Sequence, residues 1–505
     1  MKIGTAGRIA CIALFAAALA SCAPQPARTT STGLEKIQHI LVIYAENRSF
    51  DNLYGLFPGA NGIANATSAQ YTQVDNDGKA LAHLPPVWKG KDPDPAFPKD
   101  LPNRPFRIDG PPINLPLSVA TRDLVHKFYQ NQEQIDGGRL DRYVAASDAG
   151  ALVMGYYDGS NLPLWKWAQE YTLADNFFTA AFGGSYLNHF WLVCACTPEH
   201  REAPANLRAQ VDGNFLKRKS ESPASALDGA PIFALDGDVT TDGWSVNTTQ
   251  PPYQPSRTPP AKGGDPRLAD VSKHPLPPQS AKTIGDTLSA KGISWAWYGI
   301  SWAWYAGAWN LALQDGMQDP VAPRKMINTR ADGAPYFVTH HQPFNYFARF
   351  APGTADRGAH LKDYTELSAS IDRGELPQVA FYKPQGTLNE HAGYADVLAG
   401  DTHIAEVIAR IKASPLWSST AIIVTYDENG GFWDHVKPPV GDRWGPGPRV
   451  PALLISPYAK RNFVDHTQYD TTSILKFITR RFALEPLPGM RSQAGDLTAA
   501  FDFTQ

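Results

Sequence analysis

Three acids and an amide, divided between two places some 380 positions apart, are the residues of this chain best suited to chemistry. Ile40-Leu41-Val42-Ile43-Tyr44 runs into Glu46-Asn47, and Ala421-Ile422-Ile423-Val424-Thr425-Tyr426 runs into Asp427-Glu428-Asn429-Gly430-Gly431. Carboxylate and amide oxygens are what hard divalent cations prefer as ligands, and paired glycines let backbone approach a ligand closely. Asp, Asn and Gly are also ordinary turn formers, so one such junction alone reads as a loop. Two junctions of the same kind predict a catalytic metal site.

The elements that must position these groups are legible in the same runs. Short Ile- and Val-rich stretches without polar alternation read as strands buried on both faces, the mark of a parallel sheet covered by helices. Gln378–Tyr382 and Val450–Ser456 read as further strands and Ile404–Lys412 as a helix. Strands alternating with helical patterns predict an α/β fold with a mostly parallel central sheet flanked by helices. In such sheets the ligand sits beyond the carboxyl ends of the strands, which is where these acids fall.

Composition bounds the rest. The 505 residues are 43% hydrophobic with a net charge of -3, enough for a large core and too weakly basic for a nucleic-acid partner. Residues 1–21 read as an export signal: Lys2 and Arg8 precede the apolar stretch Ile9–Ala20, which is too short to cross a bilayer permanently. Leu19-Ala20-Ser21-Cys22 resembles the bacterial lipobox. That resemblance implies lipid on Cys22, a flexible tether over 22–33 and an exported lipoprotein held to a membrane, facing periplasm or cell surface. A plain signal-peptidase site with Cys22 as passenger is the alternative. Residues 34–505 are expected to form a single catalytic domain, with Pro-rich surface excursions near 84–117 and 248–279 walling the site. Cys194 and Cys196 would point the same way on a strand, so they read as small buried apolar residues rather than a bridge. Gly292–Tyr298 recurs at once as Gly299–Tyr305, a tandem duplication of which one copy should bulge from the fold.

Glu46-Asn47-Arg48-Ser49-Phe50-Asp51, Gly183-Gly184-Ser185, Asn389-Glu390-His391 and Tyr426 through Val436 resemble the bacterial phosphoesterase family that holds the phospholipase C enzymes and a respiratory-burst-inhibiting acid phosphatase. The likeness runs from about Ile37 to Phe503. His126-Lys127-Phe128-Tyr129 with Gly137-Gly138-Arg139-Leu140-Asp141 looks closer to the acid phosphatase branch. The resemblance implies a core like that of alkaline phosphatase and arylsulfatase with a smaller covering region. It implies one divalent metal ion, of unnamed identity, on Glu46, Asn47, Asp427 and Glu428, with Ser185 as both ligand and nucleophile. It also implies His126, His340, His341 and His391 around the phosphate, and Asn310 as a substrate contact. Gly183-Gly184-Ser185 lacks the Pro of the family's usual Gly-Pro-Thr or Gly-Pro-Ser.

A serine hydroxyl is a poor nucleophile at neutral pH, and a bound cation lowers its pKa and aims it at phosphorus. The expected path is Ser185 attack, a phosphoseryl intermediate and hydrolysis by water, with imidazoles protonated in mildly acidic medium spreading the charge. The expected activity is a broad acid phosphatase acting on small phosphomonoesters. Because the chain ends soon after Arg491–Leu497, without the β modules of the haemolytic phospholipases, phospholipase C or another phosphodiesterase is placed second, with phospholipid as substrate. A phosphate-ester-binding surface lipoprotein without turnover is the alternative of another class.

Overall fold

The computed structural model of the chain describes residues 33–299 and 337–504. Its centre is an eight-stranded sheet made by β1 (His39–Ala45), β2 (Thr172–Ala174), β3 (Trp295–Gly299), β4 (Leu361–Asp363), β5 (Val379–Tyr382), β6 (Thr420–Tyr426), β7 (Ala452–Ile455) and β8 (Phe463–Asp465). The strands lie in the order β4-β3-β5-β1-β6-β7-β2-β8. Every neighbouring pair is parallel except the two made by β7. All of β6 is buried, as is all of β1 except His39. A strand covered on both faces has no solvent side on which to place polar residues, so both are mostly apolar, and the hydroxyls of Thr420 and Thr425 in β6 donate to the Leu416 and Pro451 carbonyls.

Six helices matter for the site: α1 (Phe50–Tyr54), α2 (Phe128–Ile135), α3 (Pro163–Glu170), α4 (Ser185–Cys194), α5 (Val397–Lys412) and α6 (Thr471–Phe482). α3 packs against α5, and α4 against α6. The helix expected from Ile404 begins at Val397 instead. Asp396 caps it by accepting from the Ala399 N–H, which satisfies a donor the first turn would otherwise leave unpaired. Asp470 caps α6 in the same way through the Thr472 N–H.

The Pro-rich segment 248–279 is not wholly a surface excursion. Pro251–Ser256 is buried, because Asn345 donates to the Tyr253 and Pro255 carbonyls at 2.9 and 3.0 Å and Arg357 donates to the Gln254 carbonyl at 2.7 Å. Prolines have no N–H to leave unpaired, and neighbouring side chains satisfy the carbonyls, so the segment can be buried without strand or helix.

Cys194 and Cys196 correct the sequence reading: they form a disulfide. That reading assumed a strand, where alternate residues stand too far apart. Cys194 instead ends α4, and Ala195 turns into the left-handed region at φ 48°, bringing the two Cα atoms to 5.1 Å, inside the usual bridging range. The expected signal, the lipid site Cys22, nearly all of the tether, Asn310 and the second copy of the duplication apart from its first residue, Gly299, lie outside the described residues. The first copy supplies all of β3 but its last residue, Gly299. Among the described residues no helix is long and apolar enough to cross a membrane.

Candidate active site

β1 and β6 are adjacent and in register, with Ala45 opposite Tyr426, so the residues that follow them leave the sheet side by side. The chain continues this pairing for one more hydrogen bond, from the Asp427 N–H to the Ala45 carbonyl at 3.1 Å. Glu46 and Asp427 thus meet although their codons lie far apart. Asp427 Oδ1 accepts from the backbone N–H of Asn47 at 3.2 Å and of Glu428 at 2.8 Å, fixing both turns. Gly430, at φ 62°, lets the two turns touch: a Cβ there would stand 2.4 Å from the Asn47 carbonyl oxygen.

Ser185 arrives from another direction, as the first residue of α4. Its Oγ donates to Glu46 Oε2 at 2.9 Å. Gly183, at φ 88°, makes the entry turn possible by lying against α2, where a Cβ would be 2.6 Å from the Phe128 nitrogen. The start of a ten-residue helix also presents its positive dipole end to an anionic substrate.

The four histidines singled out in the sequence gather around this point. His341 Nδ1 is 3.1 Å from Glu46 Oε1, and His126 Nε2 is 3.6 Å from Glu428 Oε1. Ring centroids are 4.4 Å apart for His340 and His341, 6.4 Å for His341 and His391, and 5.8 Å for His126 and His391. Tautomers follow from the neighbours. His126 Nδ1 lies 2.5 Å from the Leu124 carbonyl and His391 Nδ1 lies 2.5 Å from the Ala392 carbonyl. A carbonyl only accepts, so each Nδ1 carries the proton and each Nε2 is the atom left to take or give one.

Electrostatics show what the site lacks. Burial, and after it the charge of Asp427, pushes the Glu46 and Glu428 carboxyls well above the usual carboxylate range. Asp427 Oδ2 is buried without a hydrogen-bond donor. The Asn47 side-chain oxygen stands 2.8 Å from Glu428 Oε1 and 3.0 Å from Glu46 Oε2. Turning that amide over would give two ordinary hydrogen bonds, whereas a cation among the oxygens satisfies it as it stands and also serves Asp427 Oδ2. Glu46, Asn47, Ser185, Asp427 and Glu428 therefore fit a hard divalent cation. The histidines differ from the charged clamp expected of them. Burial, with the charges of Arg257, Lys383 and His126 behind it, pushes His340 down to about 3. Burial likewise pushes His341 and His391 well below the ordinary imidazole range, so these three are neutral in mildly acidic medium.

Two residues of the site were missed in the sequence. His189 lies one helical turn after Ser185, donates from Nδ1 to the Ser185 carbonyl at 2.7 Å and stands 3.8 Å from Asp427 Oδ2, and its ring stacks on His341. The four-residue spacing from Ser185 was its signal. Lys383 follows β5 and is ion-paired with Glu46. Only the rule that ligands gather beyond strand ends could have found it.

Beside the serine turn opens a cavity of about 420 Å³ with Phe128, Tyr129, Phe182, Phe215, Gln132 and Arg443 in its walls. Phe182, in the cavity wall, immediately precedes Gly183 in the chain.

A non-hemolytic phospholipase C of Burkholderia pseudomallei is 26% identical over 547 residues, covering all of this chain and 64% of its own length, so the chain spans a little under two thirds of that relative. Phospholipase C A of Mycobacterium tuberculosis is 24% identical over 509 residues, covering 93% of this chain and 78% of its own length. Among solved structures, a protein in the alkaline phosphatase superfamily from Vibrio parahaemolyticus matches at 12% identity and a TM-score of 0.31, covering 78% of this chain and 75% of that one. The Phosphoesterase family model matches residues 37–485, which takes in β1, β6, the serine turn and every described site residue named above, and the chain belongs to the Phosphoesterase family.

Proposed function

We propose that this chain is a metal-dependent phosphoric ester hydrolase with Ser185 as nucleophile, and that phosphodiesters of the phospholipase C kind are its preferred substrates. The observation that carries the reading is Ser185 Oγ donating to Glu46 inside a cluster of buried carboxylates, with Asp427 Oδ2 left without a donor. When bound there, a divalent cation lowers the pKa of the serine hydroxyl and offsets charge on the phosphoryl oxygens.

The protein's own groups account for the remaining steps. Glu46 takes the hydrogen bond, and then the proton, of Ser185 as Oγ closes on phosphorus. The first turn of α4 and the histidines orient the phosphoryl group. His126, a partly exposed member of the cluster, protonates the leaving alkoxide through Nε2 and then takes a proton from the water that attacks the phosphoseryl group, and as the bond from phosphorus to Ser185 Oγ breaks Glu46 returns its proton to Oγ.

Two observations support diesters before monoesters, reversing the order expected from sequence. The relatives aligned along nearly the whole chain are named phospholipase C, and the aromatic cavity walled by Phe128 and Phe182 suits an apolar leaving alcohol. The acid phosphatase reading keeps one support: Phe128, Tyr129 and Gly137, from the segments that resemble that branch, line the same cavity. Phosphatidylcholine and p-nitrophenyl phosphate turnover by purified protein separates the two, and a higher kcat/KM on the monoester restores the original order. Chelation should abolish both activities, and add-back of a divalent ion should restore them. Lipid on Cys22 remains part of the proposal and places the enzyme at its substrate's surface, and an unmodified mature amino terminus by mass spectrometry would remove it.

A further inference from the structure

We infer that Lys383 is a built-in cation of the metal site, which sets the charge of the ligand cluster so that a divalent ion, and not a trivalent one, makes it neutral. The inference rests on the reading of Glu46, Asp427 and Glu428 as cation ligands and deepens it. β5 pairs with β1, Tyr382 standing opposite Ile43, so the next residue emerges beside Tyr44 and Ala45. Lys383 is fully buried there. Its Nζ is ion-paired with Glu46 Oε1, donates to the Tyr44 carbonyl at 2.9 Å and reaches the Ala45 carbonyl at 3.5 Å. Its backbone N–H donates to the Tyr298 carbonyl at 2.9 Å.

The recorded polar contacts of Nζ are the Glu46 carboxylate and the Tyr44 and Ala45 carbonyls, all of them groups of the protein itself. Lys383 is thus a positioning residue that acts through Glu46. Burying an ammonium is costly unless it is paired, and structure alone gives no reason to bear that cost at the end of a core strand. Charge does. Glu46, Asp427 and Glu428 are all buried, and once a bound ion holds all three ionised, their three negative charges against the one positive charge of Lys383 leave a net of two negative. A divalent ion cancels this. A trivalent ion would leave one positive charge buried and unpaired.

The test compares Mn²⁺ and Tb³⁺ binding by the full chain, by titration calorimetry and by Tb³⁺ luminescence sensitised by nearby tryptophan such as Trp297. Wild-type protein should bind the two ions with affinities within about tenfold of each other. Lys383→Met keeps the length of the side chain and removes its charge. One unit charge separated from the ion by a single bridging carboxylate, at an effective dielectric of about 20, shifts the Tb³⁺-over-Mn²⁺ ratio by roughly 100-fold. An unchanged ratio in folded Lys383→Met overturns the role of Lys383 while leaving the cation reading intact. If that variant does not fold, the wild type decides alone, since a preference for Tb³⁺ of roughly 100-fold or more is what an uncompensated three-carboxylate site would show. Failure of the wild type to bind either ion removes the underlying cation reading as well.

Discussion

Gly430→Ala tests whether close contact between two turns builds the site. A methyl group at Gly430 must adopt φ 62° and would stand 2.4 Å from the Asn47 carbonyl oxygen and 2.7 Å from the Asn47 Cβ. The left-handed conformation alone costs about 1 kcal/mol for a residue other than glycine. The contact is with backbone, which cannot rotate away, so the Asn47 turn must shift by roughly half an ångström, and the added strain is about 1–3 kcal/mol. Total destabilisation of about 2–4 kcal/mol should appear in urea unfolding. Displaced by that much, the Asn47 and Glu46 oxygens should lose roughly 10- to 100-fold in cation affinity. Gly374→Ala is the control. Gly374 has φ 68° but nothing within 4 Å of the added carbon, so it isolates the conformational cost, about 1 kcal/mol, and leaves cation binding unchanged. If Gly430→Ala behaves like Gly374→Ala in both assays, the two turns do not depend on their contact, and the account of how Glu46 and Asp427 are brought together is wrong.

Ser185→Ala removes an oxygen whose side-chain hydrogen bond is to Glu46, so folding stability should fall by only about 1 kcal/mol while phosphate-ester turnover drops by roughly 10³-fold or more; residual turnover near wild type would take Ser185 out of the mechanism. Stability should also depend on pH through His403, whose Nε2 is hydrogen-bonded to the Tyr382 hydroxyl at 2.6 Å and which is held down to about 4 by burial. Since the unfolded chain binds the proton more tightly, its stabilising contribution is complete above the ordinary imidazole pKa of about 6.5 and is lost as pH falls toward 4, by at most about 3 kcal/mol. His403→Gln should flatten that part of the curve, and an unchanged slope in denaturant titrations would refute the assignment. Cys194 and Cys196 should titrate as thiols only after reduction, and because their bridge closes a loop with one intervening residue, Cys194→Ala with Cys196→Ala should cost about 1 kcal/mol or less by thermal unfolding.

Much of this molecule was legible without coordinates. The apolar runs at Ile40–Tyr44 and Ala421–Tyr426 had to be strands covered on both sides, because exposed strands alternate. Acids directly after two such strands had to fall at the ligand-binding edge of a parallel sheet. The spacing of local elements carries that information, and it singled out Glu46, Asn47, Asp427 and Glu428, which the fold brings side by side. Residues whose role depends on what lies across the fold were not legible in this way. Lys383 follows an ordinary strand and matters because β5 settles beside β1. Cys194 and Cys196 bond because α4 ends in a left-handed residue that no pattern of two cysteines announces. The charge state of His340, His341 and His391 depends on how much protein covers them, and burial is a property of the packed chain. Local pattern decides which elements form, since propensity and periodicity act over a few residues. Which side chains share a low-dielectric space depends on long-range packing, and only the tertiary structure decided that here.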